Sequence, residues 1–401
     1  MKTNRILSLL LLCLTVFLLA GCANLHKTDI EEVITGELDL LKNLDSSTTQ
    51  KYISYKELFP DAVESGSIPE EVEEVFSLFF QNFNYKILSL DVKENTAVAD
   101  IRLQTIDAQT LAKDFAAARL EQYITTAADS PDTKDNTNDS LEAHYLLLYK
   151  ILKEKEYGTV ETSCTMHLVK KNEMWYIQSD PTLENQLVGG FISYLSDSRL
   201  LSAEEAAEIY FSTIKNLEEQ QFANYLGLDS VLDTSDDTKK ALAEALISKV
   251  HTLFNYQING TSEANLYAEV DITLTTLDTQ QVLDQYESKL NAYLATSDAV
   301  IDGVEGRTRY SQELLLQEIQ NTSASATTDV SVILVNDGVS WKLKLNDSIG
   351  NALFGNLITL PSSSESSFDS AEDYAEDAEY EYDSEDTITA DSEESEDDYC
   401  Y

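Results

Sequence analysis

The sequence predicts an α+β protein of two tandem repeats, each a four-stranded antiparallel sheet packed against helices, followed by a disordered acidic tail. Three observations predict it. Blocks of residues recur in the same order at separations of 173, 171 and 166 positions; paired runs alternate apolar and polar residues at the same place in each copy; and composition changes abruptly at Pro361. Self-similarity on this scale marks duplication of a whole domain.

The first matched block is Asp29-Ile-Glu-Glu32 with Leu41-Lys-Asn-Leu-Asp45, set against Ser202-Ala-Glu-Glu205 with Ile214-Lys-Asn-Leu-Glu218. Asp29 or Ser202 can accept from free amides at a helix start, and Glu32 or Glu205 can complete a capping box. Apolar residues then follow at helical spacing (Ile34, Leu38, Leu41; Ala207, Phe211, Ile214), so each copy opens with a helix. A second helix is expected over Pro69–Gln81 and Thr238–Leu253.

Next come two alternating runs, Tyr85–Val92 with Ala97–Ile106, and Tyr256 onward with Leu266–Leu277, which read as β-hairpins. Asp107 and Asp278 are placed to cap the helices after them. A further helix (Leu141–Lys153; Ser311–Gln320), two more strands ending near Trp175 or Trp341, and a closing helix complete each unit as α-α-β-β-α-α-β-β-α. The two tryptophans stand at one place in both copies, which assigns them to the core. Cys164 faces Val330 in the alignment of copies and reads as a small apolar residue.

This element order, with its late Trp…Asn-x-Leu-x-Gly ending (Trp175, Asn185, Leu187, Gly189; Trp341, Asn351, Leu353, Gly355), resembles the NTF2-like and cystatin-like domains of Gram-positive surface lipoproteins. The resemblance implies a sheet with a concave face. Asp100 and Asp271, mid-strand in both copies, are the cavity candidates on that face, where burial could raise a carboxyl pKa enough for general-base work. Solvent-facing strand positions are the simpler reading, since no His or Tyr recurs beside both.

The N-terminus carries an address. Lys2 and Arg5 precede an apolar run from Ile6 to Leu19, shorter than the roughly 20 residues a membrane-spanning helix needs but suited to a signal peptide. It ends in Leu19-Ala20-Gly21-Cys22, which resembles the lipobox of bacterial lipoproteins. That resemblance implies cleavage before Cys22 and acyl chains, palmitate among them, on its thiol, placing the mature chain on the extracellular face of the cell membrane. Two or three chains on one residue anchor stably where one is marginal.

The expected organisation is therefore signal peptide 1–21, lipidated N-terminus and linker 22–28, first repeat 29–196, second repeat 197–360 and tail 361–401. The tail holds 17 acidic residues and no Lys or Arg, so it cannot offset the entropy of ordering. Over the whole chain 72 acidic residues oppose 27 basic ones, a formal charge of −45 that repels phosphate backbones and argues against nucleic acid.

No catalytic set, metal-ligand spacing or cofactor motif is legible: the four histidines (His26, His144, His167, His251) stand singly, and no phosphate loop or nucleophile elbow occurs. The function expected is a non-enzymatic binding or interaction module with an extracellular protein or small-molecule partner. The alternative is a small-molecule receptor or an NTF2-like enzyme working on the concave face of one repeat. Replacing Cys22 with Ala should abolish acylation and release the protein from the membrane fraction, which detergent-phase partitioning of labelled cells would measure.

Overall fold

The computed structural model describes residues 27–43, 58–59, 62–63, 71–129, 140–228, 236–345 and 347–354. The expected signal peptide, the expected lipobox with Cys22, and the expected disordered acidic tail fall outside the described residues.

The first repeat comprises α1 (27–42), α2 (Glu71–Phe79), β1 (Asn84–Lys93), β2 (Thr96–Ile106), α3 (Ala108–Asp129), α4 (Leu141–Glu154), β3 (Thr159–Lys171), β4 (Met174–Ile177), α5 (Pro181–Leu187) and α6 (Phe191–Leu195). The second comprises α7 (Ala203–Asn216), α8 (Glu219–Tyr225), α9 (Asp237–Leu253), β5 (Asn255–Ala264), β6 (Tyr267–Leu277), α10 (Thr279–Leu294), α11 (Ser297–Ile301), α12 (Gly303–Asn321), β7 (Ser325–Asn336), β8 (Trp341–Lys344) and α13 (Asp347–Phe354). Each copy contains one four-stranded antiparallel meander, in the orders β1-β2-β3-β4 and β5-β6-β7-β8.

The two sheets match residue for residue. Ala97, Ala99, Ile101 and Leu103 alternate inward on β2, as Ala268, Val270, Ile272 and Leu274 do on β6, and all are buried. Both hairpins carry a bulge at one site, between Ile87 and Ser89 and between Ile258 and Gly260. A bulge adds one residue and sharpens the local twist, so its recurrence is part of the duplicated plan.

Other repeated residues have local jobs. Asp107 Oδ1 accepts from the Thr110 amide at 3.1 Å, and Asp278 Oδ1 from that of Gln281 at 2.9 Å, so both aspartates cap as expected. Thr276 donates to the Leu353 carbonyl at the end of α13. At the matching place in the first repeat Gly189, at φ +65°, lies so close to Thr105 that a Cβ there would fall 2.6 Å from its hydroxyl oxygen. Trp341 is buried and its indole N–H donates to the Leu201 carbonyl at 3.1 Å; Trp175 is buried too.

Several boundaries differ from expectation. Ser202 and Glu205 form the full capping box on α7. Asp29 does not cap, because α1 already starts at 27 and places Asp29 in its first turn, where a carboxylate still suits the helix dipole. Helix α12 begins at Gly303, eight residues before the expected Ser311. Its first turns are held by tertiary contacts: Tyr310 stacks on Tyr293, and the Tyr286 and Ser311 hydroxyls share a hydrogen bond of 2.6 Å. The short helices α8 and α11 were not foreseen.

The two repeats are joined through α3. Its first half places Ala108, Leu111, Ala112 and Phe115 in the core of the first repeat. Its second half places Leu120, Ile124 and Ala128 in the core of the second, among Tyr210 and Phe222. Polar contacts frame the junction: Lys113 bonds Glu205 at 3.0 Å, Gln221 donates to Asp129 at 2.7 Å, and the Lys342 ammonium lies 4.0 Å from the Tyr123 ring centroid. Partial burial would raise the Glu205 pKa, but the Ser202 amide and Lys113 outweigh it and hold the carboxyl below its ordinary 4.5. Both repeats fall in one compact unit.

Removing the bridge should therefore be felt in both halves. Ile124→Ala, a large-to-small change at a fully buried site, should cost about 2–5 kcal/mol. Urea unfolding should still show one transition, shifted as a whole in Trp175 and Trp341 fluorescence alike. Two separated transitions in the unsubstituted protein would contradict the shared core.

Candidate functional site

Asp100 and Asp271 lie at one structural address, on the open faces of their sheets and exposed to solvent. Asp100 accepts from Ser89 at 2.7 Å and from Thr165 at 3.3 Å, hydroxyls on the strands to either side. Asp271 accepts from Ser331 on β7. Each stands beside the recurrent bulge, where hydrogen bonds across the sheet brace strands whose ladder is interrupted. The structure thus gives these carboxylates a bracing role and encloses neither in a cavity lined by the helices.

The helix-covered faces are packed solid. In the first repeat Phe59 stacks on Phe115 at 5.2 Å and meets Tyr145 edge-on at 5.1 Å, with Phe79 and Phe191 adjoining. His144 is buried in this cluster, 5.1 Å from the Phe59 ring. His167 is exposed on the open face opposite Val98, and His251 contacts the Leu217 carbonyl at 2.9 Å; the three are far apart in the fold. Among the described residues no cluster of His, Cys, Asp and Glu could hold a metal ion.

Cys164 is buried on β3 opposite Ile101, as Val330 stands opposite Ile272. Burial, aided by the charge of Asp180, pushes its thiol up to about 12, so it is protonated at neutral pH and unfit as a nucleophile.

An open groove of about 610 Å³ lies in a place the sequence did not suggest, in the helical layer of the second repeat. One wall comes from α10, with Gln285, Lys289, Ala292 and Tyr293 at one-face helical spacing. The other comes from α12, with Tyr310, Leu314, Gln317, Glu318 and Asn321. Tyr293 and Tyr310 stack with ring centroids 3.7 Å apart, and the Tyr293 hydroxyl donates to Asp302 at 2.7 Å, which raises its pKa to about 12. Lys289 donates to Glu318 at 2.6 Å, and the Glu318 side chain is only 6% exposed. Polar residues on a helix surface ordinarily read as a solvated face, which is why the sequence concealed this site.

No family of known proteins matches the chain. No curated protein matches it either. A crystal structure that it resembles is that of YcdA from Bacillus subtilis, provisionally described as a lipoprotein, at 14% sequence identity and a TM-score of 0.24, covering 68% of this chain and 95% of that one. So remote a likeness assigns neither fold nor function.

Cys164→Val, which installs the residue of the second repeat, should fold with stability within about 1.5 kcal/mol of the original. The native thiol should react with a soluble disulfide reagent only at the rate of unfolding, measured by the colour of the released thiolate. Rapid labelling of Cys164 itself, in a folded protein whose Cys13, Cys22 and Cys400 are replaced by Ser, would contradict the burial described here.

Proposed function

We propose that the chain is a lipid-anchored module on the extracellular face of the cell membrane, working by binding and not by catalysis. Leu19-Ala20-Gly21-Cys22 supports the anchor, and no described helix is long and apolar enough to cross a membrane. The observation that carries the binding reading is the packing of the sheets. Their helix-covered faces are filled with side chains, and the two acids best placed for catalysis in the sequence sit on open faces, tied to hydroxyls. An NTF2-like enzyme would need an acid within an enclosed concavity, beside a donor.

The open faces and the exposed edges of the sheets are then the surfaces available to a protein partner. Strand β4 pairs only with Leu168–Lys171 of β3, and β8 only with Ile333–Asn336 of β7, so among the described residues the rest of β3 and β7 has no strand on that side. The cavity in the second repeat favours a second reading, a receptor for a small molecule. Nucleic acid is disfavoured as a partner by the formal charge of −45.

Crosslinking on intact cells with a membrane-impermeant reagent, followed by identification of attached proteins, tests the module. A reproducible extracytoplasmic partner, lost when Cys22 is replaced by Ala, is the expected result. Labelling confined to cytoplasmic proteins would sink the proposal.

A further inference from the structure

The duplicated fold provides its own control for the cavity. The amide following α4, that of Lys155, bonds to the Ile151 carbonyl, and the amide following α12, that of Thr322, bonds to the Glu318 carbonyl. These equivalent caps place Ile151 and Glu318 at one position of the repeat. The paired caps Asp107 and Asp278 likewise align Ala118 with Lys289. Where the first repeat packs Ala118 and Ile151 against its core, the second holds an ion pair whose carboxylate is almost wholly buried.

Glu318 is buried while Lys289 is more than half exposed, and an apolar residue at the buried position would avoid the desolvation that a buried carboxylate suffers. The second repeat carries the costlier arrangement. It lines a groove of about 610 Å³, within the roughly 300–1,000 Å³ of small-molecule sites, and the equivalent positions of the first repeat hold Ala118 and Ile151.

The lining selects a ligand chemistry. Gln285, Gln317 and Asn321 each present a donor and an acceptor from one planar group, suited to neighbouring hydroxyls that both give and take hydrogen bonds. The stacked Tyr293 and Tyr310 supply an aromatic wall against which the C–H face of a ring can lie. Glu318 and Lys289 neutralise each other, so this part of the lining offers no net charge to an ionic ligand. Lys289 also stands between a cation and the buried acid, while Asp298 at the margin repels anions.

We propose that this cavity binds a neutral polyhydroxylated ligand of the saccharide class, and that the second repeat alone has acquired this site since duplication. The inference goes beyond the anchored-module reading and does not depend on it, because it concerns the purified chain in solution.

Calorimetry and saturation-transfer NMR on the full-length protein test it, with maltose, cellobiose and N,N′-diacetylchitobiose as neutral probes, spermidine as the cation and glucose 6-phosphate as the anion. The expected result is saturable binding of at least one neutral disaccharide at concentrations below about 10 mM, the weak end of specific recognition. Tyr310→Ala and Gln317→Ala should each weaken it about tenfold or more, a loss of the size expected for one stacking or hydrogen-bonding group.

The decisive variant combines Lys289→Ala with Glu318→Ile, which transplants the residues of the first repeat. It should keep the circular dichroism and thermal midpoint of a folded protein and lose saccharide binding. Binding unaltered in that folded variant overturns the proposal, as does preference for spermidine or glucose 6-phosphate, or no saturable binding of any neutral probe. Absence of any extracytoplasmic partner on intact cells, with saccharide binding by the purified protein intact, would fault the anchored-module reading and leave this one standing.

Discussion

The fold depends on one helix having to satisfy two cores. Helix α3 is 22 residues long, about 33 Å at 1.5 Å per residue, longer than one small sheet can cover. Its apolar positions serve the first core up to Ala118 and the second from Leu120 onward. Hydrophobic burial is non-directional, so this division alone would let the repeats slide. The hydrogen bonds of Gln221 with Asp129 and Asn224 with the Ala128 carbonyl, and the ion pair of Lys113 with Glu205, fix the docking in register.

The second copy lacks the same ridge. At the positions of Leu120 and Ile124 it has Asn291 and Ala295, both exposed, and α10 stops at Leu294. In stacked repeats a polar outer face is what keeps an end unit soluble. Released from the demand to dock a neighbour, α10 is free to carry the polar residues that line the cavity. Divergence between copies is therefore concentrated in the helical layer, whereas the sheets have kept their register down to the bulge.

That contrast explains what could be read from the sequence. Strand alternation, the Asp107 and Asp278 caps and the Ser202–Glu205 box are local signals, each carried by a few neighbouring residues, and the structure contains them. Elements set by distant contacts were obscure. Helix α12 opens at Gly303, at φ +64°, and runs through Gly306, ahead of the expected Ser311, because Tyr310 and Ser311 are held by α10. Asp100 and Asp271 were visible as a repeated pair, but only the cross-strand hydroxyls of Ser89, Thr165 and Ser331 show why they repeat. The Lys289–Glu318 pair was invisible for the opposite reason. It does not repeat, and charges 29 residues apart reveal their partnership only once two helices are laid side by side.

The shared helix also imposes an order of events on a chain made from its N-terminus. Domains generally fold as units, the N-terminal one first during synthesis. When the first sheet has closed over Phe115, the far half of α3 projects with Leu120, Ile124 and Ala128 uncovered, and stays so until Ala203–Tyr225 has been made and folded against it. During that interval the nascent molecule carries a sticky apolar rod. A chaperone or neighbouring nascent chain would meet this rod before the second repeat does, so the stretch that makes the finished protein one unit is also its point of greatest exposure while it is being built.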